Sequence, residues 1–531
     1  MTFKSVAEFL DEANGFSPTT AERRLIEATQ SGLGCSIGSV SKPTSPTAAS
    51  GATTIRASLL RLLILGGSGN CGLHERGVVL RGAWIEGELD FAFCKANGKT
   101  TLDYCHFTDA PDFQQSAFQQ LTLSYCKFPG LFAQGVQITG GLFLRNVTST
   151  KTVDINTAKI GGHLTCDGAK FDGDGKTALN AQGIEVGHSV TFNDVTAIGS
   201  VMVNSAKING QFACGNAHFD GNGNWALFAQ FMRVSQGFFF RNVASIKGEI
   251  DLSSAHIGDL VDDISSWPSS PESLLLDGFT YDRIAGDAPA TFAARRQWLE
   301  TGSLWLGNFR PQPYTHFARV LRQMGHEAEA RKALIERDTQ LAAHRFAADR
   351  EDYRQALTGD TADKSDAGRI WLRMKAAQLW SGLTGKVAGY GYAPQYALYW
   401  SVLCVGVSFL AYFLLWRCGA MVPSDAVILT SAEWKAAFDA NPLAPALVWA
   451  DAARSGPATS HYETFYSLAY AFDVFAPIVD FGQQSTWSAT TVTWVGWFAR
   501  VYTWALQAAG YIVTTLGIAA ATGVIQRNQP D

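Results

Sequence analysis

Internal repetition constrains this chain more than any other feature. Ala158-Lys-Ile-Gly-Gly-His-Leu-Thr-Cys-Asp-Gly-Ala-Lys-Phe-Asp-Gly-Asp-Gly returns as Ala206-Lys-Ile-Asn-Gly-Gln-Phe-Ala-Cys-Gly-Asn-Ala-His-Phe-Asp-Gly-Asn-Gly, an offset of 48 residues that carries Cys166 onto Cys214 and Phe171 onto Phe219. Leu142-Phe-Leu-Arg-Asn-Val, Val190-Thr-Phe-Asn-Asp-Val and Phe238-Phe-Phe-Arg-Asn-Val keep the same offset. Ala83-Trp-Ile-Glu-Gly-Glu-Leu is an earlier copy and Ala255-His-Ile-Gly a last, decaying one. Each unit divides into two segments of about 22–26 residues, the size of one β-helix coil. Within a segment apolar and polar residues alternate, as at Leu142 and Leu144 or Val190 and Phe192, which is the pattern of a strand with one buried face. No coil can bury that face alone, so the coils must stack. The expected fold is therefore mainly β: a right-handed parallel β-helix, a pentapeptide-like solenoid, across residues 75–290. Cys166 with Cys214, and Phe171 with Phe219, are expected in internal ladders, the cysteines acting as small buried hydrophobes. A helical connector and two transmembrane α-helices follow.

Residues 1–74 are expected to form a helical arm or cap. Ala21-Glu-Arg-Arg-Leu-Ile-Glu-Ala-Thr is helical in pattern, residues 33–53 are loop-like, and Thr54-Ile-Arg-Ala-Ser-Leu-Leu-Arg-Leu-Leu-Ile-Leu predicts an amphipathic helix ended by Gly66 and Gly67. That helix suits a lid over the open end of a solenoid, or a partner or membrane surface. The connector, 291–390, contains a helical hairpin over 313–338 that turns at Gly325, with Ala318, Leu321, Ala330 and Leu334 in a TPR-like spacing. A single hairpin is no array, so it is expected to pack on the solenoid, with peptide binding as its other use. Mixed charges over 326–375 fit a solvated helical face.

Hydrophobic residues make up 47% of the chain and charged ones 17%, and the long apolar runs are confined to residues 391–531. Tyr396–Trp416 and Val501–Ile525 carry no charge, are flanked by Tyr399, Trp400, Trp494 and Trp497, and are long enough to cross a bilayer core of about 30 Å. Charges around the spans do not orient them. The long stretch ahead of the first span, with no secretory signal at Met1-Thr-Phe-Lys-Ser-Val-Ala-Glu, leads to the expectation of a multi-pass inner-membrane protein with both termini cytoplasmic and loop 417–500 outside. Within that loop, Thr464–Gly482 is apolar yet holds Asp473, Pro477 and Asp480, as an interfacial or re-entrant segment would. A span, a short helix, a proline turn and a second span outline a two-helix pore subunit, possible as a homo-oligomer. Asp473 and Asp480 would then line a cation path, although no glycine-rich carbonyl filter is present.

Other chemistry is sparse. A net charge of −5 gives no ground for a nucleic-acid partner, and nine scattered cysteines without a CxxC pair suit a reducing compartment. Asp172-Gly-Asp-Gly and Asp220-Gly-Asn-Gly lack the full acid set of calcium loops and read as turns. His163, His188 and His218 have no ligand spacing, and Glu86, Asp90 and Asp154 form no evident pair. No catalytic, cofactor-binding or metal-binding residue is singled out, and enzyme status is left open.

Thr54-Ile-Arg-Ala-Ser-Leu-Leu-Arg, the Ala-x-Ile-x-Gly-x-Leu coils, Phe309-Arg-Pro-Gln-Pro-Tyr, Gly389-Tyr-Gly-Tyr-Ala-Pro and Asp473-Val-Phe-Ala-Pro-Ile-Val-Asp together resemble a family of bacterial membrane proteins. Its members have pentapeptide-like or β-helical N-terminal regions, and some are labelled membrane-associated oxidoreductases. The resemblance implies the solenoid and the membrane helices. It carries no catalytic residue over, because the chain has no GxGxxG after a strand, no CxxCH and no redox CxxC. The function expected is that of a membrane-anchored solenoid scaffold or sensor. Its partners would be the lipid bilayer and a protein bound on the solenoid or the hairpin. A pore subunit and a membrane-associated enzyme are the alternatives.

Overall fold

The computed structural model describes residues 5–10, 17–37, 45–67, 73–358, 364–452, 461–476 and 478–523. The chain forms two compact units, Met1–Ala333 and Leu334–Asp531.

The first unit is a parallel β-solenoid of about nine turns. Each regular coil contributes four inward pairs separated by one outward residue: Val136 and Ile138, Leu142 and Leu144, Val147 and Ser149, Val153 and Ile155, all buried. Stacking follows from the pattern. Ile138 pairs with Ile160, Ile160 with Val186, Val186 with Ile208 and Ile208 with Val234, in steps of 22, 26, 22 and 26 residues. The 48-residue unit is thus one long and one short coil. The longer coils take up their extra residues at Gly173–Lys176 and Gly221–Asn224, where the pairing register shifts. There Asp172 and Asp220 each accept the N–H two residues on, at 2.9 and 3.0 Å, so these carboxylates close their own turns.

The internal ladders differ from the expected ones. Phe171 pairs with Ala197, and Ala197 with Phe219; Thr165 pairs with Thr191 and Thr191 with Ala213, which places Cys166, Phe192 and Cys214 in successive coils. Like residues therefore sit two coils apart. A coil with a small residue in one column has a large one in the next, which keeps the cross-section constant while the layers interdigitate. Burial pushes the Cys166 and Cys214 thiols above their ordinary range, as expected of packing groups rather than reactive ones.

Both ends are closed. Cys35-Ser36 pairs with Leu80-Arg81, and Thr54–Arg56 with Trp84–Glu86, so the solenoid begins before residue 75. Thr54 starts a strand rather than a helix; α2 (Ala57–Leu65) begins after it and ends at Gly66 with φ +87°. The earlier helix α1 (Thr20–Gln30) has a Thr19/Glu22 capping box. Glu22 is fully buried and holds Arg56 Nε at 2.8 Å and Nη2 at 2.7 Å. At the far end α3 (Phe292–Gly302) and α4 (Gln312–Gln323) cover the last coil. Gln312 accepts the Gly278 N–H at 2.9 Å and donates to the Phe279 carbonyl at 3.2 Å. The hairpin turns at Gly325, φ +84°, into α5 (Glu327–Thr358), at the glycine expected from sequence.

His316 on α4 joins this cover to the solenoid. Arg319 Nη2 donates to its Nδ1 at 2.8 Å, and its Nε2 lies against the Tyr281 backbone, 2.8 Å from the N–H and 2.9 Å from the carbonyl oxygen. Burial, aided by the Arg319 charge, lowers its pKa from 6.5 to about 4. The unfolded chain then binds the proton more readily than the folded one. The neutral ring contributes fully above pH ~6.5, and stability is lost as pH falls from there toward ~4, by about 3 kcal/mol in total. His316→Gln should flatten this acid limb, read from hydrogen exchange over 274–323 between pH 4 and 7.

The second unit is helical: α5 runs on into it, followed by α6 (Lys364–Ala388), α7 (Gln395–Arg417), α8 (Ser467–Phe475) and α9 (Trp494–Ala521). The expectation of a mainly β chain is therefore corrected: helix makes up 40% and strand 25%. Most solenoid strands are two residues long and their corners count as turns, whereas the other unit is built from long helices.

Candidate functional site beside the apolar helices

The expected spans correspond to α7 and α9, the two helices long and apolar enough to cross a membrane among the described residues. Helix α9 starts at Trp494, earlier than expected, and so includes Arg500, whose Nη2 donates to the Ala489 carbonyl at 3.0 Å. Residues 524 and 525 of the expected span lie outside the described residues. The helices run antiparallel: Ser408 Oγ meets Tyr502 OH at 2.8 Å, Tyr412 OH meets Thr503 Oγ1 at 2.9 Å, and Ala397 lies against Gly517. Sequence reasoning passed over these hydroxyl pairs, although Ser408 and Tyr412, four apart in an apolar run, mark a face with a polar partner. The other faces leave Leu398, Val402, Leu410, Leu414, Phe498 and Trp504 exposed.

Between the helices the described residues form more than a plain loop. Met421–Pro423 pairs antiparallel with Trp487–Ala489, and Trp416, Trp449, Tyr462 and Phe465 surround Trp487. Helix α8 then runs alongside α7 and α9. Tyr470 touches Tyr412 with ring centroids 4.7 Å apart, and the Phe475 carbonyl sits where a Cβ on Gly510 would fall, within 1.9 Å. Gly510 is sixteen residues into α9, about 24 Å along its axis. The segment reaches that depth and returns to Trp487.

The two acids singled out from sequence have different surroundings. Asp473 is buried and accepts three backbone N–H groups, from Phe481 at 2.6 Å, Gln483 at 2.8 Å and Gln484 at 3.2 Å. It pins the return of the chain. Asp480 lies on the exposed turn and accepts the Gly482 N–H at 2.7 Å. Pro477 lies outside the described residues. Replacing Gly510 with leucine should unseat α8 from α9 at a cost of about 1–3 kcal/mol. Faster hydrogen exchange in 467–475 of the detergent-solubilised protein, with α7 unchanged, is the expected result.

The solenoid offers a different surface. Gln137, Lys159, Glu185, Lys207, Arg233 and His256 stack outward in one column, and Glu185 accepts Lys207 Nζ at 2.9 Å with Lys159 Nζ at 3.9 Å. Beside it runs a shallow groove floored by Gly161 and Gly187. A Cβ there would come within 2.3 and 2.2 Å of the carbonyl of the preceding coil, so neither position has room for a side chain, whereas Thr139 and Asn209 occupy the equivalent places in the flanking coils. His163 and His188 stack with centroids 5.0 Å apart, and His218 Nδ1 meets Ser245 Oγ at 3.1 Å. No group of three His, Cys, Asp or Glu side chains placed to hold a metal ion occurs among the described residues.

The geometry defines a capped β-solenoid followed by a helical unit with two long apolar helices. Comparison with protein-family models, curated proteins and solved structures finds no match.

Proposed function

We propose that the protein is a membrane-anchored scaffold or sensor whose solenoid presents a protein-binding surface on the cytoplasmic side of a bacterial inner membrane. The observation that carries this reading is the exposed apolar surface of α7 and α9, costly in water and suited to lipid, in a chain whose first unit is a rigid stack closed at both ends. The outward column and its glycine-floored groove supply the docking face. A photoreactive residue at Lys207, in the full-length protein in its native cells, should crosslink one stoichiometric partner, and one at Lys127 should not. Equal products from both positions, or none, would sink the scaffold reading.

A pore is the second reading, favoured by one observation: the 464–487 segment reaches the depth of Gly510 between two antiparallel helices and turns there with Asp480 exposed. It requires a homo-oligomer, with Asp480 facing the shared path. Cation flux in liposomes that is unaffected by Asp480→Asn would remove the carboxylate from that role.

A further inference from the structure

Helix α6 has an exposed surface that neither the solenoid nor the span pair explains. No acidic residue occurs between Asp366 and Asp425, while Arg369, Arg373, Lys375 and Lys386 all fall on α6. It is fixed along one side: Ala367, Met374, Thr384 and Val387 are buried, Trp400 Nε1 of α7 donates to the Lys386 carbonyl at 3.0 Å, and the helix packs on α7 and α9. Elsewhere large apolar side chains are bare. Trp371, Leu372, Leu379 and Trp380 are 46, 64, 69 and 61% exposed.

Helical geometry puts the two kinds of residue on one side. At about 100° per residue, Trp371, Lys375, Lys386, Leu379 and Leu372 fall within an arc of about 100°, with Arg369, Trp380 and Arg373 about 60–100° beyond its edge. A water-facing helix gains nothing from two bare tryptophans and two bare leucines. A partner protein's apolar groove would have to desolvate Lys375 and Lys386 among them. A headgroup layer accepts both: rings and leucines reach the acyl boundary while lysine stems extend their charges to phosphates. Helix α6 also leads through the Gly389–Gly391 turn into α7 at Tyr396, Tyr399 and Trp400, an aromatic set of the kind found where a span enters the interface.

We infer that the exposed face of α6 binds the surface of a bilayer containing anionic phospholipid, as an interfacial helix joined to the first span. This rests on the membrane-anchored reading and adds the lipid class and the residues that select it. It also gives the anchor a second contact with the bilayer, which limits how the protein tilts about its spans.

Hydrogen exchange on the full-length protein in nanodiscs tests it, comparing purely phosphatidylcholine discs with discs containing phosphatidylglycerol. Amides over 368–383 should exchange about tenfold more slowly in the anionic discs, and the difference should vanish in 0.5 M salt, because surface attraction of basic segments is screened within a Debye length. The triple variant Arg373→Gln, Lys375→Gln and Lys386→Gln should lose the difference, with α7 still protected. Equal exchange over 368–383 in both discs, with α7 and α9 protected, overturns this inference and leaves the anchor standing. Free exchange in α7 and α9 as well overturns the anchor, and this inference with it. The salt dependence of the unsubstituted protein decides the matter even if the triple variant does not fold.

Discussion

Arg295→Met will loosen the far end of the solenoid by about 3–5 kcal/mol, the cost of leaving a buried charge without its partner. Arg295 and Asp262 are both fully buried and form a two-pronged ion pair, Nη1 to Oδ2 and Nη2 to Oδ1, each at 2.5 Å. The remaining polar capacity is also engaged: Trp267 Nε1 donates to Asp262 at 2.6 Å, and Arg295 Nε donates to the Pro289 carbonyl at 2.8 Å. The guanidinium lies 5.1 Å from the centre of the Trp298 ring. This pair fastens α3 to the strand His256–Asp262, so its loss should appear as faster hydrogen exchange in 292–302 and in the last two coils, with the first coils unaffected. The double variant Arg295→Met with Asp262→Leu should recover most of the loss, since an apolar pair of similar volume needs no desolvated charge. A double variant as unstable as the single one would mean that the pair acts through shape rather than charge.

Phe192→Ala is expected to cost a similar amount, about 3–5 kcal/mol, for a different reason. Phe192 is fully buried, with Phe212 5.3 Å away between ring centroids. Its neighbours in the column, Cys166 and Cys214, are too small to fill the hole, and parallel pairing holds the coils about 4.8 Å apart so that they cannot close over it. The damage should stay local, because each coil contacts only its neighbours. Faster exchange confined to 158–229 is the expected signature. Cys214→Leu, overpacked on its own, should restore part of the stability when combined with Phe192→Ala.

Features carried by local pattern were legible in the sequence, and those carried by long-range pairing were not. The 48-residue offset contained the coil pair, since each inward position repeats its chemistry. Gly325 marked the hairpin because few other residues take its left-handed conformation without cost. Thr54–Arg56 was misjudged because three residues of strand ahead of a leucine-rich helix have no period of their own; only their pairing with Trp84–Glu86 defines them. The ladders were misassigned because repetition reveals which residues are equivalent, not which are adjacent. Asp262 and Arg295 lie in segments without a shared motif, so nothing local joins them. Asp473 stood out as an acid in an apolar segment, but the amides it holds belong to Phe481, Gln483 and Gln484 beyond the turn, and no spacing rule announces them.

The alternation of long and short coils also sets how such a molecule can change length. Removing a single coil would bring Cys166 directly onto Cys214 and Phe171 onto Phe219, leaving a gap in one column and a crowd in the other. Removing two would leave every contact type unchanged. Across residues 138–234 the solenoid is therefore quantised in pairs: a duplication or deletion of 48 residues there is silent to the core, and one of 22 or 26 is not. A designer wishing to move the two ends apart has a step of about 10 Å to work with.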